Sequence, residues 1–124
     1  MIVYKTRTFA RWMKREDLAD HELHDAIVGM QNGLVDARLG GGLVKKRIAR
    51  AGQGKRGGYR VLVASNFGER WVFMFGFAKN ERDNIDGDEL RLMKRLATTW
   101  LDMSDVDTRR ALVAGELLEI KHGK

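Results

Sequence analysis

A nine-residue segment with alternating aromatic side chains, RWVFMFGFA at residues 70–78, constrains the fold of this chain more than any other feature. Its period of two is typical of a β-strand, in which successive side chains point to opposite faces. The segment therefore predicts a strand with one wholly aromatic face, formed by Trp71, Phe73, Phe75 and Phe77. We interpret this face as core packed against helices, with a base-stacking platform for nucleic acid as the alternative.

Four further segments have the composition of strands. Residues 43–48 and 59–65 precede the aromatic strand, and the glycine-rich residues 51–58 between them form a predicted hairpin loop. Strands that follow one another so closely favour an antiparallel meander. Short apolar runs at residues 2–4 and 116–120 predict a first and a last strand.

Apolar residues at helical spacing predict four helices, two before the meander and two after it. Their predicted N-terminal caps are Thr8, Asp17 or Asp20, Asp86, and Ser104 or Asp105. This order of elements predicts an α+β fold, in which an N-terminal helix pair packs on a twisted, mainly antiparallel sheet and C-terminal helices follow, all on one sheet face. We predict a single domain over residues 1–124, with residues 104–124 as a C-terminal extension.

The positive charge of the chain is concentrated in one segment. The net charge is +6, from 23 basic and 17 acidic residues, yet no acidic residue lies between Ala37 and Gly68. The basic residues of that segment are Arg38, Lys45, Lys46, Arg47, Arg50, Lys55, Arg56 and Arg60. They leave 15 basic and 17 acidic residues elsewhere, so the whole positive balance lies here. Such a concentration is typical of a surface for a polyanion, with a solvated basic loop as the alternative.

Composition and spacing exclude several kinds of site. The chain has no cysteine, which excludes thiol catalysis and cysteine-ligated metals and fits a cytoplasmic protein. HELH at residues 21–24 lacks the i, i+4 histidines of a zinc protease, and GQGKR at residues 52–56 lacks the first glycine and the hydroxyl residue of a P-loop. We therefore expect no metal and no cofactor. No apolar run has the length of a membrane span, so we expect no membrane partner.

The basic residues on strands are the best candidates for a functional site. Lys45 and Arg47 are two residues apart on a predicted strand and therefore share a face. Alternation places Arg60 on the face opposite the apolar set of its own strand. Lys79 and Arg82 follow the aromatic strand directly, where a rigid scaffold positions a loop. Arginine forks and lysine ammonium groups gathered in this way suit phosphate recognition.

Three strings carry a family resemblance: GGLVKKRIARAGQGKRGGYRVLVA, FGFAKNERDNI and DELRLMKRLA. Together, over residues 41–96, they resemble the RelE/HigB superfamily of bacterial toxin–antitoxin toxins, and the HigB-like branch is the closer match. The resemblance implies a small α+β protein that enters the ribosomal A site and cuts mRNA. It also implies a cognate antitoxin, of the helix-turn-helix type in the HigB-like branch, that keeps the toxin inactive.

The resemblance also implies a set of site residues. The family's basic strand falls on Lys45 and Arg47, the arginine of its next strand on Arg60, and its basic turn on residues 79–82. The catalytic set is thus Lys45, Arg47, Arg60, Lys79, Asn80 and Arg82. Four other basic residues of the acid-free segment form a predicted RNA-binding set that holds the phosphate backbone: Lys46, Arg50, Lys55 and Arg56. The sequence departs from RelE at Asn80, where RelE has an arginine, and at Asp86, where RelE has a tyrosine.

Crowded cations lower one another's affinity for protons, so a lysine of this set can serve as a base. We favour Lys45 as the base that activates the RNA 2′-hydroxyl, with Lys46 and Lys79 as alternatives. Arg47 and Arg60 would then stabilise the phosphate in the transition state. Two other functions remain open on sequence grounds: inhibition of DNA gyrase, as in the related ParE toxins, and non-catalytic RNA binding.

Overall fold

The computed structural model describes residues 1–50, 54–79 and 85–121, with the backbone alone at Arg50 and residues 54–57. Within these residues the chain forms six strands and four helices. In chain order the elements are β1 (Ile2–Thr6), α1 (Arg7–Arg15), α2 (Asp20–Gln31), β2 (Ala37–Gly40), β3 (Leu43–Arg50), β4 (Gly54–Ser65), β5 (Arg70–Ala78), α3 (Gly87–Asp102), α4 (Asp105–Val113) and β6 (Leu117–Glu119).

All six strands belong to one sheet with the order β2-β3-β4-β5-β1-β6. β2 to β5 form an antiparallel meander, β1 pairs parallel with β5, and β6 pairs antiparallel with β1. The predicted meander is confirmed, and β2 lengthens it by a strand that the sequence patterns did not indicate. The predicted loop at residues 51–58 was too long, because β4 begins at Gly54 and pairs there with Arg50.

Helices cover both faces of the sheet. On one face, the α1–α2 face, Phe9 of α1 and Ile27 of α2 share a core with sheet residues such as Val61. On the other, the α3–α4 face, Ala97 and Ala111 share a second core with β4 and β5. The α+β class and the N-terminal helix pair on the sheet are confirmed. The expectation that all helices lie on one face was wrong, because β4 and β5 carry buried apolar side chains at successive positions and so need cover on both sides.

A β-bulge divides the aromatic side chains of β5 between the two faces. Leu62 pairs with Phe75 but Val63 pairs with Phe73, which leaves Met74 as the extra residue. Trp71 and Phe73 lie in the α1–α2 core, whereas Phe75 packs on the α3–α4 core. The ring of Phe77 lies 6.2 Å from that of Phe75, centroid to centroid. The prediction of a single aromatic face was therefore wrong.

Side-chain caps fix where the helices begin. The hydroxyl of Thr6, rather than that of Thr8, accepts from the Phe9 N–H at 3.1 Å and caps α1. No aspartate side chain caps α2, whose N-cap is Ala19. Instead, the Glu22 carboxylate accepts from the Ala19 N–H at 3.0 Å. Asp86 and Ser104 cap α3 and α4, in agreement with the sequence.

Arg70 fixes α3 over the sheet. Its Nη1 donates to the carbonyls of Trp100 and Met103 at 2.8 and 3.0 Å, at the C-terminal end of α3 where carbonyls lack helical partners. Its guanidinium also lies 5.9 Å from the centre of the Tyr4 ring. Burial raises the pKa of the Tyr4 phenol, and the charge of Arg70 opposes that rise. Arg70 therefore joins α3 to β5 and β1 at one end of the α3–α4 face.

Replacing Gly76 by alanine is expected to destabilise the protein. A Cβ at Gly76 would overlap the indole ring of Trp12, which packs on this glycine from α1. Overpacking of this kind costs about 1–3 kcal/mol, measurable as a lower free energy of unfolding in urea. Gly87→Ala is the matched control, because the nearest atom to its Cβ is 3.9 Å away, on Arg91. Equal stability of the two variants would contradict this account of the α1–β5 contact.

Candidate nucleic-acid interface

Three cationic side chains from β3 and β4 lie on the α3–α4 face: Lys45, Arg47 and Arg60, here called the cation cluster. Residues directly opposite in an antiparallel pair share a face. Arg47 lies opposite Arg60, and Lys45 lies opposite Leu62, which belongs to the α3–α4 core. The structure thus brings together the three residues that the sequence singled out as the centre of a site.

Arg60 is a buried cation without a carboxylate partner among the described residues. Only 8% of it is exposed, and its Nη1 makes one long hydrogen bond, 3.4 Å, to the carbonyl of Tyr59. The sequence predicted the correct face of β4 for Arg60, but it did not predict that Arg60 is buried there. A buried charge is costly unless an opposite charge or several hydrogen bonds compensate it. An anion that reached Arg60 would compensate this charge.

Asp36 neutralises Arg47. Its carboxylate accepts from the Arg47 backbone N–H and, at 3.1 Å, from the Arg47 Nε. The Asp36 N–H in turn donates to the Lys45 carbonyl at 3.0 Å. These bonds hold the Arg47 guanidinium beside β2. The sequence interpretation missed Asp36, although it is the last acidic residue before the acid-free segment and lies one residue before β2.

A hollow of about 190 Å³ opens between the ends of β3 and β4. Arg47 and Arg60 line it together with Ile48, Ala49 and Gly58. At about 30 Å³ per water molecule, it has room for a phosphate group and some solvent. Gly58 permits the close approach of the two strands here, because a Cβ at this position would lie 2.8 Å from the Ile48 carbonyl oxygen. Both arginines of the Arg47–Arg60 pair therefore border the same small volume.

Lys79 lies at the same end of the sheet, whereas Lys46 lies on the other face. The Lys79 N–H donates to the Gly58 carbonyl at 3.1 Å, which places this residue next to the hollow at the end of β5. Lys46 pairs with Val61 of the α1–α2 core, and its ammonium group reaches Gly29 of α2. Among the three predicted bases, Lys45 thus shares the face of Arg60, Lys79 lies at the same end of the sheet, and Lys46 lies on the other face.

The other predicted site residues are described by their backbone alone or lie outside the described residues. Asn80 and Arg82 lie outside the described residues. Arg50 belongs to β3, and Lys55 and Arg56 belong to β4, by backbone alone. The pairing of Arg50 with Gly54 puts these three on the β3–β4 hairpin, beyond the cation cluster.

The groups assembled here suit anion binding and offer lysine as the acid or base. In the part of the chain that is described, no three His, Asp or Glu side chains cluster as metal ligands. His21 and His24 belong to α2, on the other side of the sheet from the cation cluster. No described helix has both the length and the apolar character to cross a membrane. The candidate site thus consists of the cationic side chains of β3 and β4.

Comparison with known proteins adds one finding. The family model described as RelE toxin of the RelE/RelB toxin–antitoxin system matches residues 1–120. A search of the curated proteins found no match. The matched region includes every strand and helix of the structure and the whole cation cluster.

Replacing Arg60 by methionine is expected to raise the free energy of unfolding by about 1 kcal/mol or more. Methionine keeps most of the buried volume and removes a charge that no described carboxylate compensates. Arg47→Met is the matched control, with an expected change within about 0.5 kcal/mol, because Arg47 is exposed.

Guanidinium chloride unfolding, followed by tryptophan fluorescence, measures both variants. A loss of more than 1 kcal/mol in Arg60→Met would mean that Arg60 supports the fold, and would contradict its description as an uncompensated cation.

Proposed function

Because the chain belongs to the RelE toxin family of toxin–antitoxin systems, we propose that it is a ribosome-dependent mRNA endonuclease of the HigB-like kind, which inhibits translation. Family membership supports RNA cleavage as the general reaction and an antitoxin as a partner. The observation that carries the proposal is Arg60, a buried cation that lines an open hollow beside Lys45 and Arg47. A polyanion bound there would supply the negative charge that the described residues do not.

The proposed reaction is transesterification within the RNA. A base removes the proton of a 2′-hydroxyl, and the oxygen attacks the adjacent phosphorus. The bond from phosphorus to the 5′-oxygen then breaks, and that oxygen takes up a proton. The products are a 2′,3′-cyclic phosphate and a 5′-hydroxyl. The intermediate phosphorane carries two negative charges, so positive groups fixed around it lower the barrier.

The residues divide between these tasks by position. Arg60 stabilises the phosphorane from within the sheet, and Arg47 joins it when phosphate competes with Asp36 for its guanidinium. Lys45 is the proposed base, because it lies on the face of Arg60 whereas Lys46 does not. Lys79, whose N–H donates to Gly58 beside the hollow, is the candidate proton donor. The ribosome would supply the alignment of the mRNA, which accounts for the small number of acid–base groups on the chain.

The same charges suit the antitoxin. A partner that places a carboxylate in the hollow would neutralise Arg60 and block phosphate binding at once. We propose an antitoxin of the helix-turn-helix type, by the resemblance to the HigB-like branch.

Purified protein is expected to cut mRNA only when ribosomes are present. Arg60→Met is expected to lower the rate at least about 100-fold while the variant stays folded, because it removes a preorganised transition-state charge. The control Arg91→Met should keep the native rate, since Arg91 is exposed on α3 and pairs with Asp88. Mapping of mRNA ends after a single-turnover reaction measures both.

Two results would replace the proposal by another function. Intact mRNA with ribosomes, together with loss of gyrase-catalysed supercoiling, would show a gyrase inhibitor. Intact mRNA together with tight, salt-dependent binding of free RNA and no arrest of growth would show a non-catalytic RNA-binding module.

Lys45 and Lys46 provide a second, internally matched test. Lys45→Met is expected to lower the cleavage rate about 100-fold or more, as expected for loss of a general base. Lys46→Met changes the same charge one residue away on the opposite face, and should lower the rate less than about fivefold. A larger loss of cleavage rate in Lys46→Met than in Lys45→Met would place the base on the α1–α2 face and contradict this assignment.

A further inference from the structure

Among the described residues, the second half of β5 has no paired strand on its β1 side. β1 pairs with β5 only as far as Phe73 and then turns into α1. Beyond that point a groove of about 310 Å³ follows the β5 edge beside α1 and is here called the edge groove. Its lining includes Arg11, Trp12 and Arg15 of α1 and Phe75 and Phe77 of β5.

The charge of the edge groove is positive. Arg11 and Arg15 are exposed, one helical turn apart on α1, and no described carboxylate pairs with either. Among the described residues, no acidic side chain lines the groove. Glu116 lines the neighbouring hollow of about 270 Å³, which shares Thr8 and Phe75 with the edge groove. The positive groove therefore ends on that side at a carboxylate.

An aromatic side chain with accessible surface lies between these cations and the cation cluster. Phe75 is half-buried and is the aromatic residue that lines both hollows. Phe77, next to it in the groove, is the register partner of Arg60. Phe77 thus links the register position of Arg60 to the edge groove, whose far side is formed by Arg15 and Arg11.

We propose that the edge groove binds single-stranded RNA next to the cleaved nucleotide, with one base stacked on Phe75 and the flanking phosphates on Arg11 and Arg15. Alternating aromatic and cationic groups are the usual means of holding single strands without reading their sequence. That the bound strand is the substrate rests on the proposed function. Binding of single-stranded RNA as such does not.

The backbone at this edge disfavours a peptide as occupant. A peptide that adds a strand to a sheet needs the edge N–H and carbonyl groups. Gly76 and Ala78 are buried, and Trp12 packs on Gly76, so this part of the edge is covered. RNA needs only the side chains, and those are the groups that line the groove.

The test is binding of a uridine hexanucleotide to the full chain without ribosomes, followed by quenching of tryptophan fluorescence, since Trp12 lines the groove. Removing both arginines (R11A with R15A) is expected to weaken binding about tenfold. It should also reduce the slope of log K against log salt concentration by about 1.4, because each of the two lost phosphate contacts contributes about 0.7. Phe75→Leu should weaken binding about fivefold or more and leave the slope unchanged, because stacking carries no charge.

Lys14→Ala is the control, since Lys14 is an exposed cation of α1 that does not line the groove. It should weaken binding less than about twofold at physiological salt, where charges beyond about 8 Å are screened. Circular dichroism must show that all variants keep the native fold. If the arginine and Phe75 variants bind like the control, the inference is overturned.

Two further results separate this inference from its alternatives. Loss of hexanucleotide binding in the groove variants, with no mRNA cleavage by the native chain on ribosomes, would uphold the groove and reject the proposed function. Salt-dependent binding of poly-glutamate, with no binding of the hexanucleotide, would overturn the inference in favour of an acidic polypeptide as the occupant.

Discussion

Two like charges stand directly opposite each other where β3 pairs with β4, and the sheet has to hold them there. Arg47 and Arg60 are register partners, an arrangement that repels. Apolar residues next to Arg60 on β4, notably Val61 and Leu62, are fully buried and fix the register, because a slip of one residue would exchange the two faces. Asp36 relieves the repulsion by pairing with Arg47. The site thus contains two repelling charges in a sheet whose register is fixed by buried apolar residues.

The repulsion between Arg47 and Arg60 has a consequence for anion binding. Asp36 binds the exposed member of the pair and leaves the buried one, Arg60, uncompensated by any described carboxylate. The free energy that a buried charge costs the folded chain is recovered when an anion arrives. Under the proposed function, phosphate binding and stability are therefore opposed at Arg60, as they are at many functional sites. Gly58 borders the same hollow, and a side chain there would meet the β3 backbone.

The sequence predicted the parts of this site that depend on local periodicity. Lys45 and Arg47 share a face because a strand has a period of two, and Arg60 lies on the face opposite Tyr59 and Val61 for the same reason. The bulge at Met74 was not predictable in this way, since RWVFMFGFA continues its alternation through the extra residue. That single residue moved Phe75 and Phe77 to the face of Arg60. Aromatic residues that sequence analysis assigned to the core became part of the candidate RNA surface.

Contacts between distant segments account for the other differences. Asp36 meets Arg47 only because β2 folds back on β3, and β2 itself is too short to show a pattern. Arg60 is buried where it lies between the paired strands β3 and β5, a degree of burial that no alternation rule reports. The helices cover both sheet faces for a reason that was visible in the sequence: β4 and β5 are apolar at almost every position.

The most direct test of the central claim, that Arg60 is the phosphate-binding cation of the cluster, is the side-chain Nε–H resonance of Arg60 in a nitrogen-15 spectrum. Titration with a dinucleoside monophosphate should shift this resonance in proportion to occupancy. Arg70, whose guanidinium is held by the carbonyls at the end of α3, should not move and serves as the internal reference. A shift at Arg47 or at the α1 arginines with none at Arg60 would contradict the account.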